Sequence, residues 1–249
     1  RVTDGYETMD TSLVSKSCDQ IANALNYYIS QTSSTQNIQS SFVAFTMFIA
    51  ILPNDEPHLS MLPDIQENIV KKTIEQTLSN SEEFSEENLF LLQNSMINII
   101  DSMASRLSLS QIKLQDADEM IQILFALKNQ KKTAIYEETL TAISSIILNI
   151  KEDYAPYIEE TMDMILVMLE TGSSNIIQRA INTVSDLFRS LSSYMKGYTS
   201  PVFKLMIPMI YEGNLDRDLI FSIIYTLADV TKSITDINAD DKTEFFKVV

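Results

Sequence analysis

The 249 residues carry 18 Lys and Arg against 34 Asp and Glu, a formal net charge of −16, with 4 Gly, 1 His, 1 Cys and no Trp. Glycine usage averages roughly 7% in globular proteins, so its scarcity here argues against folds built on hairpin turns and phosphate-cradling loops. One His and one Cys cannot supply a clustered metal site, and the composition speaks against a typical enzyme.

The acid surplus repels phosphate backbones, which argues against nucleic acid, and favours basic partners. The plainer alternative is that the acids only keep the chain in solution. A hydrophobic content of 45% marks a folded chain. A single Cys cannot form an internal disulfide and suits a reducing compartment. There is no Asn-x-Ser/Thr glycosylation site, and the longest mostly apolar run, Phe42 to Leu52, is too short to span a bilayer. The expectation is a soluble intracellular protein without a membrane association. It begins with Arg rather than Met, so a fragment of a longer chain is expected.

Apolar residues recur at helical spacing nearly throughout. In chain order this predicts helices at 10–31, 38–52, 61–79, 86–105, 116–129, 133–150, 156–170, 174–192, 200–212 and 216–234, with a short one near 239–247. The segments 32–37, 53–60 and 80–85 read as loops. Ser85 is placed to cap the fourth helix, ahead of Glu86 and Glu87 at the positive end of its dipole. Asp116 with Glu119 makes a capping-box pair, and Ser200 before Pro201 an N-cap with proline in the first turn. Gly172 and Gly213 fall where helices should end in a left-handed cap. Pro208 lies inside a predicted helix and should bend it.

The helices repeat. Glu138–Ile150 aligns with Arg179–Leu191 at an offset of 41, and with Ser222–Ile234 a further 43 along. Leu140, Ile181 and Ile224 then coincide, as do Ile143, Val184 and Leu227. A period of 41–43 residues with two helices per unit is that of a HEAT-type solenoid. The expected fold is therefore all-α, an α-α superhelix of HEAT/armadillo type, with about five pairs at 10–52, 61–105, 116–150, 156–192 and 200–234. Such units bury their apolar faces only by stacking, so Met96, Met120, Met162, Met164 and Phe188 are expected in the core.

No catalytic constellation emerges. The glycines at 5, 172, 197 and 213 are isolated, which excludes a P-loop or a dinucleotide fingerprint. His58 has no triad partner and Cys18 no nearby cation, so both read as structural or surface residues. The carboxylate pairs Glu82/Glu83, Glu86/Glu87 and Asp240/Asp241 lie in solvated runs. No cofactor or metal is expected.

Two second helices carry an acid followed three residues on by a base: Asp186 with Arg189, and Asp229 with Lys232. Within one helix such a pair is worth only a few tenths of a kcal/mol. The alternative is that Asp186 and Asp229, with Asp101, Glu137 and Glu138 on other second helices, line one face that meets a basic ligand.

The run Tyr154-Ala-Pro-Tyr157-Ile-Glu-Glu-Thr-Met-Asp-Met-Ile-Leu-Val-Met-Leu169 resembles the first helix of a HEAT repeat in importin-β. Ala180-Ile-Asn-Thr-Val-Ser-Asp186-Leu-Phe-Arg189-Ser-Leu191 and Phe221-Ser-Ile-Ile-Tyr-Thr-Leu-Ala-Asp229-Val-Thr-Lys-Ser-Ile234 are similar to the second helices that follow. Gln39–Ile49 and Leu89–Ile100 fit the same pattern. The resemblance spans 8–236 and implies an interior segment of a nuclear import receptor.

It further implies binding of a basic importin-α segment or basic cargo on the acidic inner face, at Asp101, Glu137, Glu138, Asp186 and Asp229. Phenylalanine-glycine (FG) nucleoporins would enter apolar outer slots at Tyr157, Met162, Phe203 and Ile207, and Ran-GTP would release cargo. The implied location is cytoplasm, nucleus and nuclear pore. The family uses tryptophans against the stems of the basic helix; this sequence has none, which limits its share to acidic contacts. The rival readings are a HEAT scaffold for another assembly, such as a phosphatase complex, and an enzyme with an unrecognised site.

Overall fold

A computed structural model describes residues 18, 20, 21, 23–25, 27, 28, 35–52, 59, 62, 85–106, 114–128, 133–211 and 215–233. Among the described residues every regular element is helical. They are α1 (Thr35–Ile51), α2 (Glu86–Ala104), α3 (Leu114–Lys128), α4 (Thr133–Ile150), α5 (Ile158–Thr171), α6 (Ser174–Leu191), α7 (Thr199–Tyr211) and α8 (Arg217–Ser233). These match eight of the expected helices to within three residues at each end. The expected helices 10–31, 61–79 and 239–247 lie outside the described residues, apart from scattered helical positions between 18 and 28 and at 62. His58, Gly213 and the pairs Glu82/Glu83 and Asp240/Asp241 also lie outside them.

The chain forms two compact units, Arg1–Gln130 and Lys131–Val249. In the first, α2 packs on α1 and α3. Phe42, Phe45 and Ile49 of α1, at helical spacing, are fully buried, and so are Leu92, Met96, Ile99, Ile100 and Met103 of α2. The Arg106 guanidinium donates to the Leu52 carbonyl, fastening the end of α2 to the end of α1. Cys18 is buried, as a structural thiol should be.

In the second unit, α6 is central, packed on α4 to one side and α8 to the other. Helices α5 and α7 pack on each other, α5 also on α6, and α7 on α8. The second helices of successive repeats thus form one row and the first helices another, which is how stacked helix pairs close a core. Helix α6 is the most sharply two-faced of the described helices. Ile176, Ala180, Ile181, Val184, Leu187, Phe188 and Leu191 are buried on one side. Asn182, Asp186 and Arg189 occupy the other. Met96, Met120, Met162, Met164 and Phe188 are all in the core, as expected.

Ser85 does cap α2: its Oγ accepts the Asn88 N–H at 3.3 Å, with Glu86 and Glu87 exposed in the first turn. Several local expectations are corrected. Helix α1 starts at Thr35, inside the expected loop 32–37. Helix α3 begins at Leu114, which places Asp116 inside it rather than at its cap. Helix α7 begins at Thr199, directly after a 3-10 turn at Lys196–Tyr198, so Ser200 is not an N-cap.

Gly172 ends α5 with φ −74° and ψ 159°, extended rather than left-handed. Its role is space. A Cβ there would lie 2.5 Å from the Met168 carbonyl oxygen that accepts the Gly172 N–H. Ahead of α5, Lys151–Tyr157 forms a 3-10 helix, so α5 starts at Ile158 instead of 156. Lys151, at φ 50°, is the positive-φ non-glycine residue among those described, and it turns the chain out of α4.

Candidate functional site: a polar cleft across three second helices

On α4, α6 and α8 the residues left over from core packing share one face. Thr141, Ser144, Ser145 and Leu148 on α4 are spaced i, i+3, i+4, i+7. So are Asn182, Ser185, Asp186 and Arg189 on α6, and Ser222, Tyr225, Thr226 and Asp229 on α8. Together with Arg179 they line an open cleft of about 620 Å³. Asp186 and Asp229 occupy equivalent positions of successive repeats, and the cleft brings them together.

The two carboxylates are held differently. Asp229 accepts a hydrogen bond from Ser185 Oγ at 2.7 Å and pairs with Lys232 at 3.6 Å. Lys232 is 79% exposed, so this i, i+3 ion pair adds little to stability. Asp186 has its carboxyl pKa raised, first by burial and further by the Asp229 charge. A Ser144 hydrogen bond and the Arg189 charge only partly oppose this.

A carboxyl whose pKa is raised by folding favours the fold while protonated and opposes it once ionised. The stabilising effect is complete below the ordinary value of 3.8 and is lost as pH rises through the raised native value. Asp186→Asn should therefore raise the melting temperature at pH 7, and the gain should shrink as pH falls toward 4. Thermal melts of the two proteins across that range check it; a variant less stable at pH 7 would refute it.

At the cleft, threonines repeat a contact that composition and periodicity did not reveal. Thr183 Oγ1 lies 3.5 Å from the Leu140 carbonyl oxygen, and Thr226 Oγ1 lies 3.3 Å from that of Ile181. Both contacts advance by one repeat, but Thr183 Oγ1 has a nearer acceptor at 3.0 Å in the Arg179 carbonyl of its own helix, so its approach to Leu140 is the weaker of the two. Ser144 Oγ, 3.0 Å from Thr183 Oγ1, adds a second link between α4 and α6. The available signal was a Thr at equivalent positions of two buried helix faces.

The other acids expected on this face do not line the cleft. Glu137 and Glu138 are half-buried on α4 but do not line the cleft, where Ser145 stands at the position equivalent to Asp186 and Asp229. Asp101 lies half-buried on α2, in the first unit.

The expected apolar slots are also redrawn. Met162 is fully buried and offers no surface. Tyr157 is half-buried, its ring 5.5 Å from that of Tyr154. Phe203 and Ile207 line a narrower cleft of about 270 Å³ with Tyr211, Ile224 and Leu227. That cleft lies between α7 and α8, the two helices of one pair, rather than between successive first helices.

Among the described residues no group of His, Cys, Asp and Glu could hold a metal ion. Nor is any of their helices long and apolar enough to cross a membrane.

The profile of a family described as "Importin subunit beta-1-like, TPR repeats" matches residues 2–239. Among solved structures, importin beta crystallised in a polyethylene glycol condition superposes with a TM-score of 0.76 at 19% identity, covering 92% of this chain and 28% of that one. Importin beta crystallised in an ammonium sulfate condition superposes with a TM-score of 0.78 at 19% identity, covering 93% and 27%. This chain thus spans little more than a quarter of either neighbour's length. No curated protein sequence matches it. The neighbours bear out the all-α solenoid. The period of 41–43 residues is that of HEAT units, longer than the 34 of a TPR unit.

Proposed function

The chain belongs to the importin subunit beta-1-like family of helical repeats, and from that premise we propose that it is an interior segment of a nuclear transport receptor. In this reading the receptor carries protein cargo through nuclear pores, cycling between cytoplasm and nucleus. It binds basic import segments, of an importin-α type or of cargo itself, together with nucleoporin FG repeats and Ran-GTP. The repeat units proposed within that longer solenoid, as the 41–43-residue period sets them, are 10–52, 61–105, 116–150, 156–192 and 200–234.

The observation that carries the reading is the carboxylate pair in the cleft. Asp186 stays in a partly buried position beside another acid, at a cost in stability, and among the described residues the charge opposing that cost is that of Arg189. An arriving ammonium or guanidinium group between Asp186 and Asp229 would relieve that cost. Charge of this kind also steers a basic partner and weakens with salt. The FG component rests on the cleft between α7 and α8, which Tyr211, 71% exposed, helps to line.

The test is a titration with a basic helical peptide at low and high salt. Saturable binding is expected, falling as salt rises and falling roughly tenfold, about 1.4 kcal/mol, in the Asp186→Asn, Asp229→Asn double variant. Binding that ignores both salt and the two substitutions would refute the reading.

A further inference from the structure

The cleft is not uniformly acidic. Arg179 lines it from α6, half-buried, two turns before Asp186. Asp229 has Lys232 and a serine, and Asp186 has Ser144 and the Arg189 charge. Arg179 forms no ion pair among the described residues, although it shares a cleft with two carboxylates. At the position equivalent to Arg179, α8 presents the neutral Ser222, which also lines the cleft. A guanidinium offers a planar fork of donors matched to a carboxylate, and in a cleft of this size the fork is open to a ligand.

We propose that Arg179 makes the cleft selective for a segment of mixed charge, in which a basic side chain sits between Asp186 and Asp229 while an acidic side chain of the same segment is held by the Arg179 guanidinium. This builds on the reading above that the cleft takes a basic segment, and it names which basic segments it takes. The geometry sets a spacing. Seven residues of α6 separate Arg179 from Asp186, about 10 Å along the axis at 1.5 Å per residue. An extended segment lying along α6 covers that distance in about three residues at roughly 3.3 Å each. A polylysine-like segment places a like charge against Arg179, whereas one with a carboxylate about three residues from its Lys satisfies both ends.

Two synthetic peptides decide it. Each is extended and of the same length, one carrying Lys among Gly and Ser, the other with Glu added about three residues from the Lys. Both are titrated into the full chain and its Arg179→Gln and Arg179→Lys variants, whose folding is checked by circular dichroism. Arg179→Gln should weaken the mixed peptide about tenfold, with partial recovery in Arg179→Lys, and should leave the Lys-only peptide unchanged or tighter.

Equal weakening of both peptides, or no change in the mixed one, overturns the selectivity. The basic-segment reading then still stands if the Lys-only peptide loses affinity in the Asp186→Asn, Asp229→Asn protein. Lys-only binding indifferent to those two substitutions overturns that reading, and this proposal with it.

Discussion

Phe188→Ala is expected to destabilise the second unit by about 3–5 kcal/mol, the usual range for truncating a buried aromatic. The ring is fully inaccessible and sits on α6, the helix that packs on both α4 and α8. A cavity there removes contacts from the centre of the row of second helices. Repeat stacks are stabilised through nearest-neighbour interfaces, so loss at α6 should loosen the helices on both sides of it. Phe221, 55% exposed on α8, supplies the contrast: Phe221→Ala should change stability by less than about 0.5 kcal/mol. Urea unfolding followed by far-UV circular dichroism measures both. Similar midpoints for the two variants would contradict the packing described.

Tyr154→Ala should cost a similar amount, about 3–5 kcal/mol, and Tyr154→Phe only about 1. Among the described residues Tyr154 is the largest fully buried side chain, and its 3-10 segment packs against α4, α5 and α6. Its phenol lies 2.6 Å from Thr161 Oγ1, which itself donates to the Tyr157 carbonyl at 2.8 Å. Thr161 has one proton and spends it on that carbonyl, so the phenol is the donor between the two hydroxyls. Phenylalanine keeps the ring and loses this one bond, while alanine loses both.

The pH dependence has a definite sign. Burial foremost raises the phenol pKa far above its ordinary 10.0. A group raised on folding stabilises the fold fully below its unfolded value, and that stability is lost as pH rises toward the native one. The native protein should therefore weaken above pH 10 through Tyr154, and Tyr154→Phe should remove that part of the loss. Equal alkaline loss in both proteins would show that the phenol is not buried.

The fold, and the positions of two acids of the candidate site, were legible in the amino-acid order, for a reason that particular residues make clear. The period-3.6 recurrence of Ile176, Ala180, Ile181, Val184, Leu187 and Phe188 requires one apolar face wherever α6 packs. Recurrence of that pattern at 41–43 residues then requires stacked pairs, since a single pair leaves the face uncovered. Asp186 and Asp229 follow from the same alignment, because equivalent positions on stacked helices lie side by side. Boundaries were less legible. The cap signals at Asp116 and Ser200 were outweighed because α3 starts earlier and α7 continues directly from a 3-10 turn.

What the sequence determined alone is local: which segments are helical, which face of each is apolar, and the length of the repeat. These depend on spacing along one helix. Tertiary structure decided what depends on distances between helices. It buried Met162, drew Phe203 and Ile207 into a cleft within one pair, and left Glu137 and Glu138 outside the polar cleft. It also set Thr183 and Thr226 against carbonyls of the preceding helix and opened Arg179 to the same cleft as the two acids. Helical spacing says which side chains share a face, but only the crossing of one helix over the next says what that face meets.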